Sequence, residues 1–124
     1  MKIILSIKPQ FAEKIFNGSK RFEFRRTIFK NPEVNKVVVY ASAPISKIIG
    51  EFEIEDVLKS EISSLWKKTK QFSGISKEYY LDYFKGKENG YALKIDKPKK
   101  YRKEKCIIET YGIKPPQSFA YIRH

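Results

Sequence analysis

Lys20, Glu23 and Arg25 are the side chains of this sequence whose types and spacing suit them to act together on one bound group. A lysine and an arginine can hold a phosphate, the arginine through two parallel hydrogen bonds. The glutamate can fix the arginine by a charge-assisted pair, or accept from the exocyclic amino group of a base. Lys20 can also serve as a general base if burial and Arg25 lower its pKa, although Glu23 pulls the other way. The stretch around them, Gly18-Ser-Lys-Arg-Phe-Glu-Phe-Arg25, alternates like a strand. With a side-chain period of two, Phe22 and Phe24 take one face while Arg21, Glu23 and Arg25 share the other. Two plain alternatives stand beside a charged cleft floor: the solvated outer face of an antiparallel sheet, or an ion-pair network pinning one strand to its neighbour.

The elements that must position this strand follow from the flanking pattern. Residues 2–7 form a short apolar strand, ended by Lys8-Pro9 because the residue before proline is driven to extended geometry. Pro9 opens a helix with Phe11, Ala12, Ile15 and Phe16 on one face, and Gly18 supplies its left-handed cap. Val37 to Ala41 reads as a buried strand, and Ser46 to Val57 as a long one in which Gly50 marks a bulge or bend. Ile62, Leu65, Trp66, Thr69 and Phe72 have helical spacing, with Ser60 or Ser63 placed to cap them and Gly74 to stop them. A second helix begins after Ser76; its Tyr80, Tyr83 and Phe84 are read as core rather than as base-stacking rings. Asn89-Gly90 is a turn, 91–95 a strand interrupted by Pro98, and 106–108 a further short strand. The tail from Pro115 to Tyr121 is apolar enough to pack back on the body. This order predicts a small α+β domain over residues 1–124, with a curved, mostly antiparallel sheet or half-closed barrel and helices at its ends.

Composition narrows the partner. Net charge is +12 over 124 residues, the footprint of a protein that meets an anion, with nucleic acid the first candidate. Of the 26 basic residues only five are arginine, so the excess is mainly lysine, which binds phosphate as a point charge. Charge is also uneven: 94–105 carries seven basic residues against Asp96 and Glu104, whereas 51–61 is acidic. The lone Cys106 suits a reducing compartment, and no signal peptide or membrane-length apolar run is read, so a cytoplasmic location and no membrane partner are expected. His124 is the sole histidine, which leaves histidine triads and histidine-rich zinc sites without support. Walker A and dinucleotide glycine patterns are absent, and helix-turn-helix spacing can be forced onto 61–85 only without a convincing recognition helix. No cofactor and no metal are called for. Ser6, Tyr40, Ser42, Gln117 and Ser118 remain as small polar neighbours for the charged trio.

Gly18-x-Lys20-x-x-Glu23-x-Arg25 resembles the G-x-K-x-x-E-x-R signature of the ASCH domain family, within the PUA-like superfamily. Leu5-Ser6-Ile7-Lys8-Pro9, Val39-Tyr40-Ala41-Ser42 and Pro116-Gln117-Ser118-Phe119 extend the likeness over nearly the whole chain. The resemblance implies a small curved β-barrel of about five to seven mostly antiparallel strands, two to three helices packed around it, and a cleft where the signature residues meet. It implies nucleic-acid binding, with RNA favoured over DNA, through Lys8, Lys20, Arg21, Glu23, Arg25, Tyr40, Ser42, Gln117 and Ser118. The alternative it implies is a hydrolase with Lys20 and Glu23 catalytic, either a metal-independent ribonuclease or an amidohydrolase of acetylated cytidine. That amidohydrolase branch carries threonine as its proposed nucleophile where this chain has Glu23, a departure that counts against the same reaction here. A third reading makes the chain a protein-interaction domain using the helices at 61–85, with the charged strand merely structural. Oligomeric state is not legible.

Overall fold

In the computed structural model, residues 1–122 are described; His124 lies outside them. Six strands form one sheet in the order β2-β5-β4-β3-β1-β6. In chain order they are β1 (Lys2–Ile7), β2 (Phe22–Arg25), β3 (Lys36–Ala41), β4 (Lys47–Glu61), β5 (Asn89–Lys105) and β6 (Phe119–Ile122). The helices are α1 (Pro9–Phe16), α2 (Ile62–Thr69) with a 3-10 turn at Lys70–Phe72, α3 (Lys77–Tyr83) and α4 (Ile107–Tyr111). Among the described residues only β1 and β3 run parallel; the other pairs are antiparallel.

The sheet does not close into the expected barrel. Its two edges are β2 and β6, and among the described residues no backbone pairing joins them. The physical reason lies in what occupies the gap. Side chains from α1 and α3 and the polar segment before β6 line a cavity between the edges, which holds them apart. The edges are bridged by a side chain instead, Arg25 Nη2 donating to Ser118 Oγ at 2.6 Å.

Three apolar clusters hold this arrangement. On one face β1, β3, β4 and β5 bury Ile3, Leu5, Val37, Val39, Phe52 and Leu93 against Ala12 and Ile15 of α1. On the other face Ile4, Val38, Tyr40 and Ile48 pack with Ile107 of α4. The third cluster joins Phe24 and Ala92 of the β2–β5 pair to Leu65, Tyr80 and Phe84, so the rings of α3 are core as their spacing predicts.

Three local expectations are corrected. The segment after Cys106 is not a strand but the short helix α4, because Cys106 is its extended N-cap and Gly112 its left-handed C-cap (φ 68°), while Ile107 is needed by the second cluster. Pro98 does not interrupt β5; a bulge between the pairs Glu51–Lys99 and Glu53–Asp96, with Lys97 at φ 47°, removes the demand for its missing N–H. Neither Ser60 nor Ser63 caps α2, whose N-cap is Glu61 without a side-chain bond, since β4 runs directly into the helix. Gly50 does sit at an irregularity of the β4–β5 register, and a Cβ there would fall 2.5 Å from the Phe16 ring and from the Lys99 carbonyl.

Candidate functional site

Where the two sheet edges approach without pairing, a cavity of about 430 Å³ opens. Its walls come from the ends of β1 and α1, from β2, from α3 and from the segment before β6. The short edge strand β2 packs its phenylalanines against residues of α2 and α3, and Lys20 and Glu23 beside it are buried instead of facing water. Lys20 is 2% exposed and Glu23 8%.

Lys20 is held on all sides. Its ammonium donates to the Ser73 carbonyl at 2.7 Å and lies 5.0 Å from the centroid of Phe24 and 5.5 Å from that of Phe11. Burial lowers its pKa to about 8, against the pull of Glu23, which raises it. Burial also raises the pKa of Glu23, while the positive charges of Lys20 and Arg25 oppose that rise. Arg25 Nη1 stands 3.7 Å from a Glu23 carboxylate oxygen. Its other terminal nitrogen is spent on Ser118, and Ser6 Oγ donates to the Pro116 carbonyl at 2.6 Å, pinning the closing segment to β1.

Of the residues singled out from sequence, Lys8, Lys20, Glu23, Arg25, Gln117, Ser118 and Ser6 line this cavity. Three do not. Arg21 faces the other side of β2, its guanidinium 4.2 Å from the Phe72 centroid. Tyr40 is buried in the second apolar cluster, across the sheet. Ser42 belongs to the turn after β3, where its N–H donates to the Ile7 carbonyl. Strand parity assigned Arg21 to the face of Glu23 and Arg25; its carbonyl still accepts from Ile95 N–H of β5, but its own N–H turns to the Phe72 carbonyl and its guanidinium lies over the Phe72 ring.

Sequence reasoning missed the aromatic and strap residues. Tyr79 and Tyr83 line the cavity; Tyr79 packs edge-on against Phe11 and under the Lys8 ammonium, 5.2 Å away. Tyr83 donates its hydroxyl to the Phe24 carbonyl, and burial raises its pKa. Helical spacing had assigned Tyr83 to core packing, and Tyr79 had not been singled out. The strap is residues 72–74, whose three successive carbonyls accept from the Arg21 N–H (2.8 Å), Lys20 Nζ (2.7 Å) and Lys14 Nζ (3.2 Å). Gly74 takes φ 69°, and a Cβ there would meet the Lys20 stem at 2.5 Å. Only its glycine identity was a signal, and it had served to end a helix.

The arrangement offers a carboxylate, an ammonium and a guanidinium at one wall of an aromatic cavity of nucleotide size. Among the described residues no cluster of three or more His, Cys, Asp or Glu side chains forms a metal-holding group, and no helix is long and apolar enough to cross a membrane.

The open α+β sheet and the signature residues at the gap place the chain in the PUA-like superfamily. A family model described as ASCH domain matches residues 5–110, and the chain belongs to the ASCH domain family. The chain is 36% identical over 124 residues to large ribosomal subunit protein uL22 of Ureaplasma parvum serovar 3, covering 98% of this chain but only 39% of that protein. It is 28% identical over 123 residues to an ASCH domain-containing ribonuclease of Zymomonas mobilis, covering 97% of this chain and 83% of the relative. The crystal structure of ASCH from Zymomonas mobilis superposes with a TM-score of 0.90 at 28% identity, covering 98% of this chain and 87% of that one. The fold is thus a nucleic-acid-associated one.

Proposed function

We propose that this chain is an RNA-cleaving domain whose chemistry is carried by Lys20, Glu23 and Arg25. The observation that carries the reading is the burial of Lys20 and Glu23 together at the wall of a one-sided cavity. Burial without full neutralisation pushes the two pKa values toward one another, as an acid–base pair working near neutrality requires. The likeness to a relative named as a ribonuclease supports the same reading.

In this reading a ribonucleotide enters with its base against Tyr79 and Phe11, and its phosphate meets Arg25. Glu23, ionised, takes the proton from the 2′-hydroxyl. The 2′-oxygen then bonds to phosphorus and the bond to the 5′-oxygen breaks, with Lys20 donating its proton to that leaving oxygen. Arg25 and the charge of Lys20 stabilise the extra negative charge on the phosphorus centre. DNA lacks the nucleophile, so RNA is the substrate class. Lys8 and Gln117, at the mouth, contact the entering strand.

The test is a pH–rate profile on a labelled single-stranded RNA. The expected curve is bell-shaped, with its acid limb above the ordinary carboxylate range and its basic limb near pH 8. Glu23→Gln should lower the rate by about 10²- to 10⁴-fold and remove the acid limb. A rate that climbs through pH 8 makes Lys20 the base and reverses the assignment. RNA binding with no turnover at any pH overturns the enzyme and leaves a binding module.

A further inference from the structure

Arg21 has no part in the cavity just described; it is one of the five arginines of the chain and is exposed, with its guanidinium over the Phe72 ring. It lines a second cavity of about 650 Å³ on the opposite side of β2. One wall is α2 and its 3-10 turn, supplying Lys68, Gln71 and Phe72; the other is β4 and the bulge of β5. Lys20 lines both cavities, so the two are neighbours across the start of β2.

The two walls differ in charge. On the β4–β5 side Lys94 is committed to Glu55 at 2.7 Å and Lys97 stands 3.9 Å from Glu53, with Asp96 between them in sequence, so that wall is close to neutral. On the α2 side no acidic residue among those described lines the groove. Lys68 reaches only the Ser60 hydroxyl there, and the Arg21 guanidinium is spread over Phe72. The Arg21 backbone is fixed by its N–H donation to the Phe72 carbonyl and its carbonyl's acceptance from Ile95 N–H. A guanidinium over a ring face can offer its N–H donors to a phosphate and extend the platform on which a base stacks.

We infer that this groove is a second nucleic-acid subsite, binding a nucleotide that flanks the one held in the first cavity, with Arg21 and Lys68 as its phosphate ligands and the Arg21–Phe72 stack as its base platform. The inference rests on the RNA reading of the first cavity. It gives the single strand a path across β2, and it makes affinity depend on strand length.

The experiment uses the full chain with Glu23→Gln as a non-cleaving background. A fluorescent single-stranded RNA hexanucleotide and uridine monophosphate are titrated at several salt concentrations. Arg21→Gln combined with Lys68→Ala should weaken the hexanucleotide about tenfold and reduce its log–log salt slope by about 1.4, the value for two phosphates on a single strand. Binding of the mononucleotide should not change. Arg21→Lys keeps the charge but not the planar stack, so it should restore the salt slope while recovering only part of the affinity. Equal weakening of both ligands would show that Arg21 acts through the fold or the first cavity, and unchanged hexanucleotide binding would remove the groove from the path; either overturns the inference. Failure of the RNA-cleavage reading is a separate result, seen as absent turnover in the chain with Glu23 intact, and does not alter this length-dependent comparison.

Discussion

Two sets of lysine–glutamate neighbours in this molecule are built from the same residue types and behave oppositely. Across β3, β4 and β5 run Lys36–Glu51, Lys97–Glu53 and Lys94–Glu55, pairs on the face of a sheet; the Lys94 and Glu55 side chains are 45% and 50% exposed. At β2 the Glu23 and Arg25 side chains are 11% and 13% exposed, with Lys20 buried beside them. In the first set the hydrogen bond that the lysine donates to its glutamate raises the lysine's pKa, as at Lys36 and Lys94. In the second, desolvation dominates and lowers it. Charge and spacing do not separate the two sets; the cost of removing water does.

The largest expected break in that comparison is Glu23→Ala, which leaves Lys20 buried without its carboxylate. It should cost on the order of 3 kcal/mol at neutral pH by chemical denaturation. Glu55→Ala, in the exposed ladder, should leave the denaturation midpoint unmoved; equal losses at both positions would erase the distinction. Gly74→Ala comes next. Its Cβ must displace the Lys20 stem from a backbone at positive φ, so a loss of about 1–3 kcal/mol is expected, together with a shifted basic limb of activity.

The pH dependence sharpens the contrast, because the two kinds of lysine carry opposite signs. The native pKa of Lys20 lies below the 10.5 of a free lysine, so between about pH 8 and 10.5 the unfolded chain binds more protons. Its contribution therefore makes stability rise with pH across that window, by roughly 3 kcal/mol at most. The raised pKa values of Lys36 and Lys94 act the other way: their stabilisation is complete below 10.5 and is lost as pH climbs through the higher native values. Lys20→Met should abolish the rise and leave the loss; a rise that persists in this variant would mean another group is responsible. The smallest effect is screening. Molar salt should weaken the exposed ladder while leaving the basic limb of activity near pH 8, since the buried groups are out of reach of counterions. A basic limb that follows salt would place Lys20 in contact with solvent.

Much of the local structure was legible because it is set by short-range rules. Pro9 and Gly18 bracket α1 at Pro9–Phe16, Ser76 caps α3 through the Tyr79 N–H, and the β-branched run at 37–39 lies in the fully buried part of β3. The family, too, could be read from Lys20, Glu23 and Arg25 in their strand context. The bulge that admits Pro98 and the helix begun at Ile107 were not legible, since each answers to partners far along the chain, Glu53 in one case and the Ile4–Val38 cluster in the other. The same limit governs the site. Tyr40 and Arg21 have the chemistry of ligands, yet one was drawn into the core across the sheet and the other swung to the far side of β2.

By itself, then, the sequence determined the periodicities, the caps, the excess of positive charge and the residue types of the charged trio, all properties of neighbours a few positions apart. Tertiary structure alone decided that the sheet stays open, that its unpaired edges meet around a cavity, and that Lys20 and Glu23 lose their water. Desolvation is the sum of everything packed around a group, and around Lys20 that includes Phe11, Ser73 and Gly74, which only folding brings to it.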